Sequence, residues 1–304
     1  MLETLVHLVV LAGLPPLLLG VVTRTKSWFS GRKGPSTVQL YADLLRLLRK
    51  GATFSPTTTP VFRLGPAGGL AAAFVAGLLV PLIPGQAPIA FTGDFVVFAY
   101  LLGIGRFVTV LAALDTGSSF EGMGASREVT ISALAEPALF LGLGVLLRVT
   151  GEMSLSSAFG GPLAAAWVET ALPLGLTVAS LFLVFLAENC RIPVDDPTTH
   201  LELTMIHEVM VLDHSGPDFA MALYGAAVKF TVLGALFVNL LIPALAPAAS
   251  PWAGLGIRVA GLLVLAVAVG IVESTMARLR MDRVPIYLAA AIVFPALGLA
   301  LTFA

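Results

Sequence analysis

One polar stretch in an otherwise apolar chain holds most of the residues that could do chemistry. Residues 187–215 read AENCRIPVDDPTTHLELTMIHEVMVLDHS. Seven charged residues and three histidines fall within it: Glu188, Arg191, Asp195, Asp196, Glu202, Glu208, Asp213, His200, His207 and His214. Charge near hydrocarbon is costly unless it is paired or used. The stretch therefore predicts a place where the protein handles charge, most simply a chain of proton-exchanging carboxylates.

Further ionisable residues lie inside the apolar segments. Glu128, Glu136 and Lys229 interrupt long hydrophobic runs, as does Arg106, and Glu273 stands near the end of another. One interpretation is structural, with each group paired to a neighbour or reaching the membrane surface. The other, favoured for the deeper Glu136 and Lys229, is an ion pathway, which buried ionisable residues in membranes usually mark.

The motifs of soluble enzymes are absent from the sequence. No GxGxxG occurs, and no Gly-Lys pair is present for a phosphate-binding loop. His207-Glu208 begins like a zinc-protease motif, but the second histidine is missing. The spacing of seven between successive histidines would place them near one helical stripe, so a metal site stays open beside the simpler interpretation of hydrogen-bonding or titrating side chains. We expect no metal and no nucleic-acid partner.

Composition defines the class of protein. Of 304 residues 58% are hydrophobic and 12% are charged, and the mean hydropathy is +0.97; soluble domains carry roughly 25% charged residues. We predict an all-α, polytopic integral membrane protein forming a single domain over residues 1–304. The one cysteine, Cys190, allows no disulfide within the chain and no iron–sulfur cluster held by this chain's thiolates alone.

Eight apolar segments are each close to the length that crosses about 30 Å of hydrocarbon. The predicted spans are 3–22, 66–84, 92–113, 128–150, 171–187, 220–243, 254–275 and 284–303. Basic residues cluster in the loops that follow the odd-numbered spans, which predicts that these loops face the cytoplasm and that both termini lie outside. The predicted location is the cytoplasmic membrane of a prokaryote, with a large basic loop between the first two spans.

That first loop contains an amphipathic segment, residues 37–50. Val38, Tyr41 and Leu48 recur on one side at helical spacing. A helix lying on the membrane surface is one interpretation, and a helix that docks a partner is the other. The basic residues assigned to partner docking are Arg32, Lys33, Arg46 and Arg49.

The polar stretch also shows signs of a helix break. Pro193 and Pro197 would break the helix after the fifth span and leave Asp195 and Asp196 in a turn between them. Thr199 and Glu202 have the spacing of a capping box that would start a new helix.

Two segments resemble the H-type membrane component of respiratory complex I. Gly31–Pro35, followed by the amphipathic Tyr41–Lys50, is similar to the first cytoplasmic loop of that family, and Glu188–Asp195 resembles its E-x-x-R-x-P-x-D signature. Asp213–Gly216 lies where the family has an acid, an aromatic residue and Ser-Gly. In detail, Asp195–Glu208 more closely resembles the homologous membrane component of energy-converting nickel–iron hydrogenases, including the formate hydrogenlyase and hydrogenase-4 types.

The resemblance implies a subunit without a redox centre of its own. It would anchor an electron-transfer arm to the membrane and couple redox chemistry to proton or sodium movement. The implied partners are small and large hydrogenase-like subunits, an iron–sulfur subunit and antiporter-like membrane subunits, with the nickel–iron centre and the iron–sulfur clusters held by those partners. By motif, Glu188, Arg191 and Asp195 match the signature, Glu202 the acid of the family's Glu-Leu pair, and Asp213 a later acid; Glu128 and Glu136 follow from topology.

Two other functions stay open. A quinone-binding subunit of a complex I-like dehydrogenase would need an apolar channel with polar groups at its inner end. A stand-alone transporter would be expected to show internal repeats, and none is visible.

Overall fold

The computed structural model describes residues 2–85, 87–196, 205–245 and 250–303. Within these ranges the chain is helical and has no strand, which confirms the all-α fold class. Thirteen α-helices are present in the described residues: α1 (Leu2–Gly13), α2 (Pro15–Phe29), α3 (Gln39–Leu48), α4 (Pro60–Leu79), α5 (Asp94–Asp115), α6 (Ser119–Thr150), α7 (Leu155–Ala158), α8 (Gly161–Glu169), α9 (Ala171–Glu188), α10 (His207–Met210), α11 (Gly216–Leu245), α12 (Pro251–Thr275) and α13 (Val284–Leu301).

Seven of these helices are long and apolar enough to cross a membrane: α4, α5, α6, α9, α11, α12 and α13. The bent pair of α1 and α2 supplies an eighth if it counts as one span. Helix α11 lies at the centre, with 78% of its apolar window buried against 28–56% for the others. It packs against α2, α4, α9 and α12, and the residues it buries form much of the main hydrophobic core. The protein is thus an integral membrane protein.

The first span is broken, where the sequence predicted one continuous helix over 3–22. Helices α1 and α2 meet at Leu14 with a bend of 41°. Pro15 and Pro16 have no N–H to donate, so carbonyl groups in the preceding turn lose their helical partners. Two tyrosines from other helices replace them: the Tyr224 hydroxyl donates to the Ala12 carbonyl at 2.6 Å, and the Tyr41 hydroxyl donates to that of Gly13. Two carbonyl groups at the break thus receive hydrogen bonds from within the protein, which favours a break inside a membrane.

Two further helices begin before their predicted spans because the helix continues beyond the apolar run. Helix α4 begins at Pro60 instead of 66, since the Thr59 side chain caps it and the Asp115 carboxylate accepts from the Thr59 and Phe62 N–H groups at 2.6 and 3.2 Å. Helix α6 begins at Ser119 instead of 128. Glu128 therefore lies more than two turns inside its helix.

Small residues let α4 and α5 approach closely. A Cβ built on Gly65 would lie 2.4 Å from the Ala112 Cβ, and one on Gly105 would lie 3.4 Å from that of Ala72. Small residues at helix contacts are the usual means of close packing in membranes. This contact fixes α5, and with it Arg106, against the rest of the bundle.

Helix α9 ends at Glu188, one residue beyond the predicted fifth span, and the polar stretch continues from there. Cys190 adopts φ +50° directly after the helix, and the Arg191 carbonyl accepts from the N–H groups of Val194 and Asp195 at 2.9 and 3.2 Å. Asp195 and Asp196 come directly after this turn, whereas the sequence predicted them within it. The predicted capping box of Thr199 and Glu202 lies outside the described residues, as does His200.

Helix α3 confirms the helix predicted in the first loop. It buries none of its residues, and Leu45 and Leu48 on its apolar side stay 57% and 55% exposed. It contacts α2 and α11, and Tyr41 of its apolar side faces the bundle, where its hydroxyl donates to the Gly13 carbonyl. The exposed apolar side agrees with either a membrane surface or a docked partner.

Candidate functional site

A buried cluster of charges joins four membrane helices. Arg106 of α5 lies between carboxylates of α6 and α9: its Nη2 donates to Glu188 Oε1 and Oε2 at 2.5 and 2.7 Å, and its Nη1 donates to Glu136. Its Nε lies 3.3 Å from Glu128 Oε1. Lys229 of α11 completes the cluster with its Nζ 2.9 Å from Glu188 Oε2. We call these five residues the Arg106 cluster.

The Arg106 cluster holds more negative than positive groups. Three carboxylates face two cations, so full ionisation leaves one negative charge unbalanced inside the bundle. An unbalanced buried charge is expensive, and taking up a proton removes it. The composition of the cluster therefore suits it to binding and releasing a proton.

Burial within the cluster is uneven. The side chains of Arg106 and Glu188 are 7% and 3% exposed, whereas that of Glu136 is 44% exposed. Glu136 lies midway along α6, on a surface with the exposed aromatic residues Tyr100 and Phe140. The cluster thus reaches from the centre of the bundle to its outer face.

A cavity of about 110 Å³ connects the Arg106 cluster to the polar stretch. Arg106, Glu128, Glu188 and Lys229 line one part of it, and residues of the polar stretch, among them His207, line another. The remaining walls are largely apolar or small side chains of α4, α5 and α11. A route therefore exists between the cluster and the loop.

Arg191 and Glu273 form a second, separate group. Glu273 has a fully buried side chain, and its Oε2 and Oε1 lie 2.8 Å from Lys26 Nζ and 3.3 Å from Arg191 Nη1. This group ties the polar stretch to α2 and α12.

Asp195 anchors the polar stretch at another point. Its Oδ2 accepts from the Ile206 and His207 N–H groups at 3.0 and 3.3 Å, and its Oδ1 lies 3.1 Å from Arg278 Nη2. Burial raises the pKa of the Asp195 carboxyl, an effect that outweighs the opposing influence of Arg278 and of the N–H donors. Asp196 is partly buried beside it and donates its N–H to Asp195 Oδ1 at 2.9 Å.

The later acids of the stretch lie apart from the Arg106 cluster. Glu208 is partly exposed in the short helix α10, with no ion pair to a described residue, and Asp213 is exposed. The Asp213 N–H donates to Glu121 Oε1 at 3.3 Å. Glu121 is only 2% exposed, and sequence reasoning missed it because it stands before the predicted start of the fourth span. Glu202 lies outside the described residues.

The predicted histidine stripe is wrong for His207 and His214. Helix α10 ends at Met210, so no continuous helix carries both. His214 stacks on Phe62 with ring centroids 4.0 Å apart, and burial lowers its pKa to about 4. Among the residues that the structure describes, no group of three or more potential ligands is placed to hold a metal ion.

The four basic residues assigned to docking are exposed. Arg32 and Lys33 lie in the turn after α2, and Arg46 and Arg49 lie at the end of α3. Arg46 Nη2 is 2.8 Å from Asp43 Oδ1. Their positions leave them accessible, and their role in docking stays a prediction.

Arg106 was named in the sequence analysis as an ionisable residue of an apolar segment but was not assigned to the proton pathway. Its occurrence in an apolar span was the available signal, but one sequence does not reveal which carboxylates face it. The structure brings together Glu128, Glu136, Glu188 and Lys229 as candidates and identifies Arg106 as their common partner.

Membrane-spanning helices surround a buried cluster with more carboxylates than cations. The protein is therefore of the class of integral membrane proteins that hold ionisable groups within the bilayer. A model of the NADH dehydrogenase family matches residues 2–304. The chain belongs to that family.

Two curated relatives from Escherichia coli (strain K12) are similar over most of the chain. Formate hydrogenlyase subunit 4 is 30% identical over 297 residues, which cover 92% of each protein. Hydrogenase-4 component C is 33% identical over 239 residues, covering 79% of this chain and 74% of the relative. The predicted resemblance to the hydrogenase-type members is confirmed.

A solved structure shares the fold. A chain of the membrane-bound sulfane sulfur reductase, an archaeal respiratory membrane complex, superposes with a TM-score of 0.83 over 99% of this chain and 98% of that one. Sequence identity is 18%, so this likeness concerns the fold alone.

Proposed function

We propose that this chain is the membrane-anchoring subunit of an energy-converting hydrogenase-type complex of the formate hydrogenlyase kind. It docks a peripheral electron-transfer arm and couples redox chemistry in that arm to the movement of protons, or of sodium ions. The observation that carries this function is the Arg106 cluster, joined by a cavity to the polar stretch. Whole-length similarity to formate hydrogenlyase subunit 4 supports the type of complex.

The cluster suits coupling because its charge can change. A redox event beside the polar stretch would alter the potential at Glu188 and Glu128 through the cavity, and the unbalanced negative charge gives the cluster a proton to gain or lose. Such a change shifts the balance between two states of the protein usefully only if it alters their free-energy difference by several kcal/mol. Charged groups that lie close together and are little exposed to water interact strongly enough to supply energies of that order.

Glu136 marks where the charge would leave this subunit. A carboxylate 44% exposed midway along a membrane helix is unfavourable against lipid. A neighbouring membrane subunit that covers this surface with polar groups would remove that cost. An antiporter-like subunit, which would carry polar groups inside the membrane, is the partner that we propose. Protonation changes would then pass from the polar stretch through Glu188 to Glu136 and on to that partner.

The peripheral arm would dock on the opposite end of the path. The polar stretch, α3 and the exposed residues Arg32, Lys33 and Arg49 form the surface for it. This surface faces the cytoplasm in the orientation that the basic loops favour, with both termini outside. Small and large hydrogenase-like subunits and an iron–sulfur subunit would bring the nickel–iron centre and iron–sulfur clusters; this chain itself contributes none of them.

A pull-down of the tagged chain in mild detergent, with metal analysis and a hydrogen-uptake assay, tests the type of complex. Nickel and iron that co-purify with hydrogenase activity support the proposal. Iron and flavin with NADH–quinone activity but without nickel would replace it with a complex I-like quinone-binding subunit. A chain that purifies alone and transports ions in liposomes would contradict both.

A further inference from the structure

A groove between α2 and α12 lies on the outer surface of the bundle, away from the Arg106 cluster. It has a volume of about 360 Å³. Val21 of α2 and Val267 and Ile271 of α12 form its apolar walls, and Trp28 and Phe29 stand at its end. Trp28 and Phe29 are 77% and 46% exposed, although aromatic side chains of this size are usually covered.

The groove owes its shape to close packing on either side. A Cβ on Gly270 would lie 2.6 Å from the Thr25 Cβ, so α2 and α12 touch at that level. A Cβ on Gly20 would lie 1.8 Å from the Thr37 carbonyl oxygen, so the loop after α2 lies directly on the helix. The groove is left between these two contacts as a gap that this chain's described side chains do not fill.

The charge beside the groove is positive. Arg24 lines it and donates from Nη1 to the Gly34 carbonyl at 3.1 Å, but among the described residues no carboxylate pairs with it. Lys26 on the same helix already forms an ion pair with Glu273. The exposed Arg32 and Lys33 lie in the turn that follows.

The position of the groove matches the boundary of a membrane. Trp28 and Phe29 are the last two residues of α2, and Ile271 stands four residues before the end of α12, about 6 Å along its axis. Tryptophan is enriched at this level of a bilayer, and cations here attract anionic headgroups. An apolar gap lined by an arginine that pairs with no described carboxylate fits a lipid with an acyl chain and a negatively charged phosphate.

We propose that the groove between α2 and α12 is a binding site for one anionic phospholipid. Its phosphate binds Arg24, with Arg32 and Lys33 close by, and one acyl chain lies between Val21 and Ile271. Zwitterionic lipids bind less well because their headgroups offer the basic residues no net negative charge. The site is independent of the redox function proposed above.

The test measures phospholipids that remain with the purified complex, by mass spectrometry after exchange into mild detergent. The wild type is expected to retain anionic phospholipid in preference to zwitterionic lipid. Arg24→Gln should reduce the anionic lipid about fivefold, the effect of one basic residue at a membrane surface. Val267→Phe should reduce it as well by filling the groove without a change of charge.

Two matched variants control for general effects. Val75 on α4 is 40% exposed, close to the 38% of Val267, so Val75→Phe adds the same bulk elsewhere and should retain the lipid. Arg24→Lys keeps the positive charge and should retain most of it. Equal anionic lipid in the wild type, Arg24→Gln and Val267→Phe would overturn the proposal. Lipid bound by the isolated chain but absent from the complex would overturn it too, since a partner subunit would then fill the groove.

Discussion

Arg106 contacts three carboxylates with its three guanidinium nitrogens. A lysine has a single charged nitrogen and cannot reach Glu128, Glu136 and Glu188 in this geometry. Arg106 thus determines how the carboxylates of α6 and α9 are held together. Its removal leaves those carboxylates facing Lys229 alone.

We expect Arg106→Gln to lower the free energy of unfolding by about 3–5 kcal/mol, the usual cost of removing one partner from a buried ion pair. Thermal unfolding of the purified protein in detergent would measure this as a lower midpoint. Glu136→Gln should cost clearly less, since Glu136 is 44% exposed and the remaining carboxylates still pair with both cations. Equal stability of Arg106→Gln and the wild type would contradict the described cluster.

His214 gives a prediction about pH. Its pKa is lowered to about 4 by burial, while an unfolded histidine titrates near pH 6.5. The unfolded chain therefore binds a proton first, so the free energy of unfolding falls as pH falls from about 6.5 to about 4, by on the order of 1–3 kcal/mol.

Thermal midpoints of the wild type and His214→Phe, taken from pH 7 to pH 4, would reveal this loss. Phenylalanine keeps a ring against Phe62 but has no proton to bind, so the variant should show a weaker pH dependence. The same slope in both proteins would show that His214 does not contribute to it.

At this scale the sequence identified most of the acids but not their arrangement. An ionisable residue inside an apolar run was the signal for Glu136 and Lys229, and the polar stretch with its signature was the signal for Glu188. The central position of Arg106 depends on how α5 packs against α6 and α9, which no local pattern encodes. Glu121 was missed because a carboxylate just before an apolar run looks like an ordinary solvent-exposed residue at the end of a membrane helix.

Helix α10 packs closely on α6 at Gly124. A Cβ on Gly124 would lie 2.3 Å from Val209 Cγ1 and 2.9 Å from the Ile206 carbonyl oxygen. The short helix and the polar stretch before it can therefore approach α6 only because residue 124 has no side chain. This approach positions His207 and Met210 against the cavity.

Gly124→Ala should destabilise the protein by about 1–3 kcal/mol, the cost of forcing extra atoms into a packed contact. Gly122→Ala is the matched control in the same helix, since its Cβ would meet no atom within 4 Å. Alanine there should stabilise α6 by about 0.5–1 kcal/mol. Thermal unfolding of the two variants would separate the effects, and similar shifts in both would contradict the close packing of α10 on α6.

The number and type of the spans followed from hydropathy, because length and apolar composition alone determine what can cross a bilayer. The helix ends and the bend at Leu14 did not. Pro15 and Pro16 were visible signals of a break, yet satisfying that break needs Tyr41 and Tyr224, which are distant in sequence. Asp115 likewise caps α4 from another helix.

Across the whole molecule, polar groups extend from one end of the bundle to its lateral face. The anchored polar stretch lies at one end, the cavity follows, and the Arg106 cluster carries the path to Glu136 at the surface. Apolar helices enclose this path on its other sides. In the function proposed above, redox chemistry at one end would act on a proton at the other along this path.

The most direct test measures proton movement per turnover in vesicles that contain the purified complex, with wild-type chain, Glu136→Gln and, as a control, Glu169→Gln. Glu169 is exposed at the end of α8 and is separated from Glu188 by the length of α9, so its replacement should change nothing. We predict that Glu136→Gln keeps the redox turnover of the complex but loses most of the coupled proton movement. Full proton movement in Glu136→Gln, and also when Glu202→Gln is added, would contradict the account.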